Sequence, residues 1–188
     1  LEETMAALDE AVRAGKTRYL GFSEWSAAQI AAAFALPGER FVSSQPQYSL
    51  LWRAPEVEVF PACLARGIGQ IVWSPLAQGI LTGKYEPGRA PPEGSRATSE
   101  TMSLFLTRRL DDRLLERVRA LVPIARDLGL TVSQLALAWV LRRPEVASAI
   151  VGASRPEQVS ENARASGVSL AAEAVARIEA ALGDARLG

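Results

Sequence analysis

A parallel α/β sheet is the fold class this sequence predicts, from three observations. Four short apolar runs are each bounded by Gly, Pro or Ser, as strands buried on both faces tend to be. Amphipathic helical patterns stand between them. The links are short, which favours right-handed strand–helix–strand crossovers and therefore parallel pairing.

The elements follow in order. Residues 3–14 carry Met5, Leu8 and Val12 on one stripe and stop at Gly15, a natural residue beyond a helix end. The helical pattern is already running at Glu2 or Glu3 and the first residue is Leu1, so the chain is expected to start at or just before a helix of a longer protein. Residues 18–23, "RYLGFS", read as the first strand. Ser26 and Gln29 have capping-box spacing and open a helix to about Ala35. Residues 41–49, "FVSSQPQYS", give the second strand. Pro55 suits the first turn of a helix that runs to Arg66 and stops at Gly67. Residues 70–77, "QIVWSPLA", give the third strand.

Residues 84–110 then break the rhythm. This stretch, "KYEPGRAPPEGSRATSETMSLFLTRRL", is rich in Pro, Gly and Ser and leaves the C-terminal end of the third strand. A long loop there is expected to be a functional lid over a binding face or a disordered stretch. A helix over 112–128 follows, with Leu115, Val118, Val122 and Ala125 on one side. Thr131 and Gln134 form a second capping box, for a helix reaching Arg143 before Pro144. Residues 147–153, "ASAIVGA", are the fourth strand, and helices over 156–165 and 170–182 close the chain.

Composition narrows the function. With 188 residues, 48% of them hydrophobic, the chain is expected to form one domain around one core. The net charge is zero and no basic patch stands out, which argues against a nucleic-acid partner. No apolar stretch reaches membrane-spanning length, so no membrane partner is expected. The N-terminus lacks signal-peptide character, and a cytoplasmic location is expected. Cys63 is alone and there is no histidine, which leaves no metal site of the usual kind and no histidine base.

In parallel α/β folds, residues at the C-terminal ends of the strands meet at one face. Here those are Ser23 and Glu24, then Gln45, Gln47 and Tyr48, then Trp73 and Ser74, then Gly152 through Arg155. Amides, hydroxyls and aromatic rings suit a planar ligand carrying a carboxamide. "GASRPEQVSEN" adds a helix start directly after the last strand. Taken alone, Ser154 and Glu157 are read more simply as a capping box. Placed at that strand end, Arg155 and the free N–H groups of a helix N-terminus become an anion site. Gln158, Glu161 and Asn162 recur on one side of the same helix. In "VWSPLAQGILTGKY", Trp73, the Gly79 and Gly83 turn and Lys84 suit a diphosphate-bearing ligand better than an ordinary strand exit. Elsewhere the plainer reading is preferred. Cys63 and Trp139 are expected in the core, and Asp111-Asp112 to cap or precede a helix.

Together, "KTRYLGFSEW", "SSQPQYSLL", "VWSPLAQGILTGKY" and "TVSQLALAWVLRRPEVASAIVGASRPEQVSEN" resemble the aldo-keto reductases, over nearly the whole chain. The resemblance implies a (β/α)8 barrel of TIM type, of which this chain is the C-terminal half, strands five to eight. It implies NADP(H) as cofactor and a small-molecule carbonyl substrate in the intact enzyme. By motif, Ser23 and Gln45 would hold the nicotinamide carboxamide, with Glu24 standing where many members have Asn. Trp73 would stack on the nicotinamide ring. Ser74, Leu76, Gln78, Gly79 and Lys84 would line the diphosphate path. Ser154, Arg155, Gln158, Glu161 and Asn162 would clasp the adenosine end, with Arg155 at the 2′-phosphate. The family's catalytic Asp, Tyr, Lys and His belong to the other half, and none of Tyr19, Tyr48 and Tyr85 stands in the catalytic tyrosine's motif. No catalytic residue is therefore expected in this chain.

Two other readings remain. One is a non-catalytic nucleotide-binding or regulatory module of the same fold, as in channel-associated members. The other is a different α/β barrel that binds a phosphorylated substrate at its last loop, which leaves "QPQYSLL" and "WSPLAQG" without a role. A half barrel also has two open sheet edges, so self-association is expected.

Overall fold

The computed structural model describes residues 1–99 and 110–185. The loop expected over 84–110 therefore lies in part outside the described residues. Four parallel strands form one sheet in the order β1 (Leu20–Ser23), β2 (Phe41–Gln45), β3 (Gly69–Trp73) and β4 (Val146–Ile150). Spatial order equals chain order, so every crossover steps the same way. Right-handed crossovers that never reverse put their helices on one face. This is the arrangement of a barrel wall, where a doubly wound sheet would reverse its strand order.

Helix α1 (Glu2–Arg13) precedes β1; the crossovers hold α2 (Ala27–Ala35), α3 (Val59–Leu64), α4 (Asp112–Arg119), α5 (Leu121–Asp127) and α6 (Val132–Leu141); α7 (Pro156–Ala163) and α8 (Ala172–Leu182) follow β4. Side chains alternate along β1, where Leu20 and Phe22 are buried and Gly21 and Ser23 exposed. Leu20, Phe22 and Phe41 pack with Met5, Ile30 and Cys63 under the first helices. Val72 and Val146 join Leu121, Leu135, Trp139 and Ile178 under the later ones. The opposite face carries Val42 and Ile150, each 45% exposed. Helix α6 is apolar all round because it is enclosed, with every residue from Val132 to Val140 buried.

Both expected capping boxes form, Ser26 with Gln29 and Thr131 with Gln134, and Asp111 caps α4 by accepting from the Leu114 amide at 2.8 Å. Several boundaries need correction. The second, third and fourth strands end at Gln45, Trp73 and Ile150, short of the expected 49, 77 and 153. Past those points the chain leaves the ladder: isolated bridges pair Gln47 with Trp73 and Ser49 with Trp52, and after Trp73 the chain turns at once at Ser74, at φ 54°. The helix expected from Pro55 is a single 3-10 turn, Ala54–Glu56, followed by α3. The helix expected over 112–128 is broken at Ala120, three residues before Pro123, whose ring and missing N–H cannot continue an α-helix. Helix α6 ends at Leu141, two residues short of Arg143.

Candidate functional site

The exits of β3 and β4 enclose a cavity of about 740 Å³, within the range of ligand pockets. From β3 and its exit come Trp73, Ser74, Leu76, Gln78, Gly79 and Lys84. From β4 and α7 come Gly152, Ser154, Arg155, Gln158, Glu161 and Asn162. All twelve were expected from the sequence. Trp73 and Arg155, drawn from neighbouring strand exits, thus open onto one space.

The backbone is bent hard to make this space. Four non-glycine residues have positive φ among the described residues: Glu24 at 58°, Ser74 at 54°, Ala77 at 47° and Gln78 at 59°. Each follows a strand exit, and strain of this kind gathers at ligand sites. Gly79, at φ 98°, leaves room that a Cβ would narrow to 3.4 Å from the Lys84 ammonium. At Gly152 a Cβ would stand 3.1 Å from a guanidinium nitrogen of Arg96.

Arg96 was not anticipated. It sits in the 3-10 turn Arg96–Thr98 of the long loop and donates to Gln78 Oε1 across the cavity mouth. In sequence it is one basic residue in a Pro- and Gly-rich stretch, without a motif to single it out. Ser133, Thr82 and Val151 also line the cavity unannounced. Gln134 ties the two walls together by donating to the Glu161 carbonyl at 2.9 Å.

The start of α7 corrects one expectation. Ser154 does not cap it. The N-cap is Arg155, without a side-chain bond, while the Ser154 amide and hydroxyl both donate to Gln158 Oε1, at 2.8 and 3.2 Å. With Pro156 as the first helical residue and the Gln158 amide donating to the Arg155 carbonyl at 3.1 Å, the start of α7 offers Arg155 itself to the cavity wall.

Ser23, Glu24 and Gln45 stand outside the cavity lining, on the adjoining strand exits. They are stitched to it. Ser23 Oγ donates to the Gln45 carbonyl at 2.8 Å. Glu24 Oε1 accepts from the Trp73 indole N–H at 2.8 Å and from the Gln47 amide at 2.6 Å. The Tyr48 amide donates to the Trp73 carbonyl at 3.2 Å.

Tyr48 itself is not offered at the face, another correction. It is fully buried and its hydroxyl donates to Glu56 Oε1 at 2.5 Å. Arg53 donates to Glu56 Oε2 at 2.8 and 3.0 Å, and Arg143 lies 3.4 Å from Glu56 Oε1. Burial, reinforced by the bond to Glu56, raises the Tyr48 phenol well above its ordinary value. Burial alone would raise the Glu56 carboxyl, but the bonds from Arg53 and Tyr48 outweigh it and hold the group below the usual range.

Chemically, the cavity gathers three cations, Lys84, Arg96 and Arg155, two glycines that permit close approach, and an indole. The donor set fits a ligand that carries both phosphates and a planar ring.

Comparisons agree with this picture. The model of the Aldo/keto reductase family matches residues 1–182. A probable voltage-gated potassium channel subunit beta of Arabidopsis thaliana is 42% identical over 171 residues, covering 88% of this chain and 52% of its own length. An L-glyceraldehyde 3-phosphate reductase of Escherichia coli O157:H7 is 35% identical over 194 residues, covering 100% of this chain and 56% of its own. Among solved structures, a thermostable aldo-keto reductase in complex with the inhibitor epalrestat superposes with a TM-score of 0.72 at 28% identity, over 96% of this chain and 54% of that one. The chain thus spans about half the length of the relatives it matches.

Proposed function

This chain belongs to the aldo/keto reductase family, oxidoreductases that bind a nicotinamide cofactor, and we propose that it is the cofactor-holding part of an NADP-dependent reductase acting on a carbonyl substrate. The observation that carries the reading is the shared cavity of Trp73 and Arg155. Trp73 would support the nicotinamide ring from this cavity, and Ser23 and Gln45, on the adjoining strand exits, would bond its carboxamide. Ser74, Leu76, Gln78, Gly79 and Lys84, joined by Arg96, follow the diphosphate. Ser154, Gln158, Glu161 and Asn162 hold the adenosine end, and Arg155 takes the 2′-phosphate. Bound NADPH supplies hydride to the carbonyl carbon. The residues of this chain bind and orient it, and the proton donor comes from elsewhere in the intact protein; the Tyr48 hydroxyl, already given to Glu56 in the core, is not available for that role. The Asp, Tyr, Lys and His of the family come from the preceding half of the barrel, and the intact protein works in the cytoplasm.

The test separates NADPH from NADH. Arg155→Ala should weaken NADPH about tenfold to a hundredfold, the loss of a charge-assisted bond, and leave NADH nearly unchanged. Equal losses for both would remove the 2′-phosphate role.

A second reading is favoured by one finding. Relatives at 40–42% identity, from Arabidopsis thaliana and Oryza sativa subsp. japonica, are described as potassium channel beta subunits. This chain would then be part of a cofactor-binding regulatory subunit. Turnover of a carbonyl substrate by the full-length protein decides for the reductase, and cofactor binding without turnover decides for the regulator.

A further inference from the structure

The Glu24 carboxylate is held at the N–H edge of the Trp73 indole, just outside the cavity lining. It stands at φ 58°, directly after β1, and its Oε1 takes both the Trp73 indole N–H and the Gln47 amide. Two donors from two different strand exits fix one oxygen, so the charge cannot swing away without releasing Trp73. Among the described residues, the cations that line the cavity have other neighbours: Lys84 stands beside Gly79 and Tyr85, Arg96 beside Gln78 and Gly152, and Arg155 at the start of α7. The group bonded to the indole edge is an anion.

We propose that Glu24 sets the oxidation-state preference of the nicotinamide site, favouring the oxidised cofactor over the reduced one. This rests on the reading that the nicotinamide ring lies against Trp73. The oxidised ring bears a positive charge and the reduced ring none. A carboxylate fixed beside it attracts the first and is indifferent to the second. A cation at the same position would act in the opposite sense. Glu24 works in this way as a positioning residue through Trp73 and as a source of charge in its own right.

The test uses Glu24→Gln in the full-length protein, because a glutamine Oε1 can still accept from the indole and from Gln47 while the charge is gone. Dissociation constants for NADP+ and NADPH are measured separately by quenching of tryptophan fluorescence. The variant should shift the ratio of the two constants about threefold to tenfold toward NADPH, as a half-screened charge at this range would. In the parent protein, added salt should move the ratio in the same direction. Glu24→Ala, which removes the charge and also releases the indole, should weaken both forms while shifting their ratio in the same direction as Glu24→Gln. If Glu24→Gln binds both forms with the parent ratio, the charge has no such role and the proposal falls, while the placement of the cofactor stands. If the parent protein binds neither form, the placement itself is wrong and the proposal goes with it.

Discussion

Glu56 joins more of this molecule than any residue its sequence context singles out. It accepts from Tyr48 and Arg53, faces Arg143, and through Arg53 reaches Glu179 of α8 at 3.1 Å. Trp139 lies between the guanidiniums of Arg142 and Arg53, 3.7 and 4.9 Å from its ring centre. Removing Glu56 would leave the buried Tyr48 hydroxyl without its acceptor and Arg53 with Glu179 alone. Glu56→Ala should therefore lower the free energy of unfolding by about 2–3 kcal/mol in urea titrations. Asp127→Ala, which loses a pair to Arg177 at the surface, should cost less than about 1 kcal/mol. The pH dependence follows from the same contacts. The Glu56 carboxyl is lowered in the fold, so its contribution is complete above the unfolded value near ~4.3 and is lost as pH falls through the folded one. The Tyr48 phenol is raised, so its contribution is complete below about 10 and is lost as pH rises beyond. Stability profiles should flatten on the acid side in Glu56→Gln and on the alkaline side in Tyr48→Phe. None of this was legible in the sequence, because Arg53 and Glu179 are 126 positions apart and nothing local pairs them. Arg96 escaped for a related reason, since only the fold brings it over Gly152.

At the scale of elements, the sequence was legible wherever the cause of structure was local. The capping boxes at Ser26 and Thr131 depend on residues three apart, and both formed. All four strands were located, because short apolar runs between breakers need no distant partner to be recognised. Their ends were not, because where a ladder stops is set by the partner strand, and after β3 the turn at Ser74 falls inside an apolar run that continues past it. The break at Ala120 shows tertiary packing and Pro123 overriding an unbroken apolar stripe. At α7 two local signals competed. Ser154 and Glu157 have capping-box spacing, yet the Gln158 side chain accepts from the Ser154 amide and hydroxyl instead. Two substitutions measure the difference. Thr131→Ala should cost about 1 kcal/mol, as it strips the cap from the most enclosed helix. Ser154→Ala should change stability by less than about 0.5 kcal/mol, because no cap is lost. A Ser154 effect as large as that of Thr131 would mean that the serine caps α7 after all.

The whole molecule presents a sheet that curves in one sense and does not close. β1 and β4 each pair on one side only among the described residues. The N–H and C=O groups on their outer sides are therefore open to another strand. Val42 and Ile150 stand on the sheet face turned away from the helices. Relatives such as the Escherichia coli reductase are nearly twice as long, this chain covering 56% of that one. A complete barrel would remove both edges and cover that face. By itself this chain should meet the same demand between molecules. On size-exclusion chromatography, the isolated 188-residue chain should elute above its 20.2 kDa mass or be lost to aggregation. Placing lysine at both Val42 and Ile150 should reduce that association, since charge on an exposed strand face opposes stacking and pairing. A stable monomer of the unaltered chain would mean that the open sheet is self-sufficient, and that a second set of strands is not what its edges require.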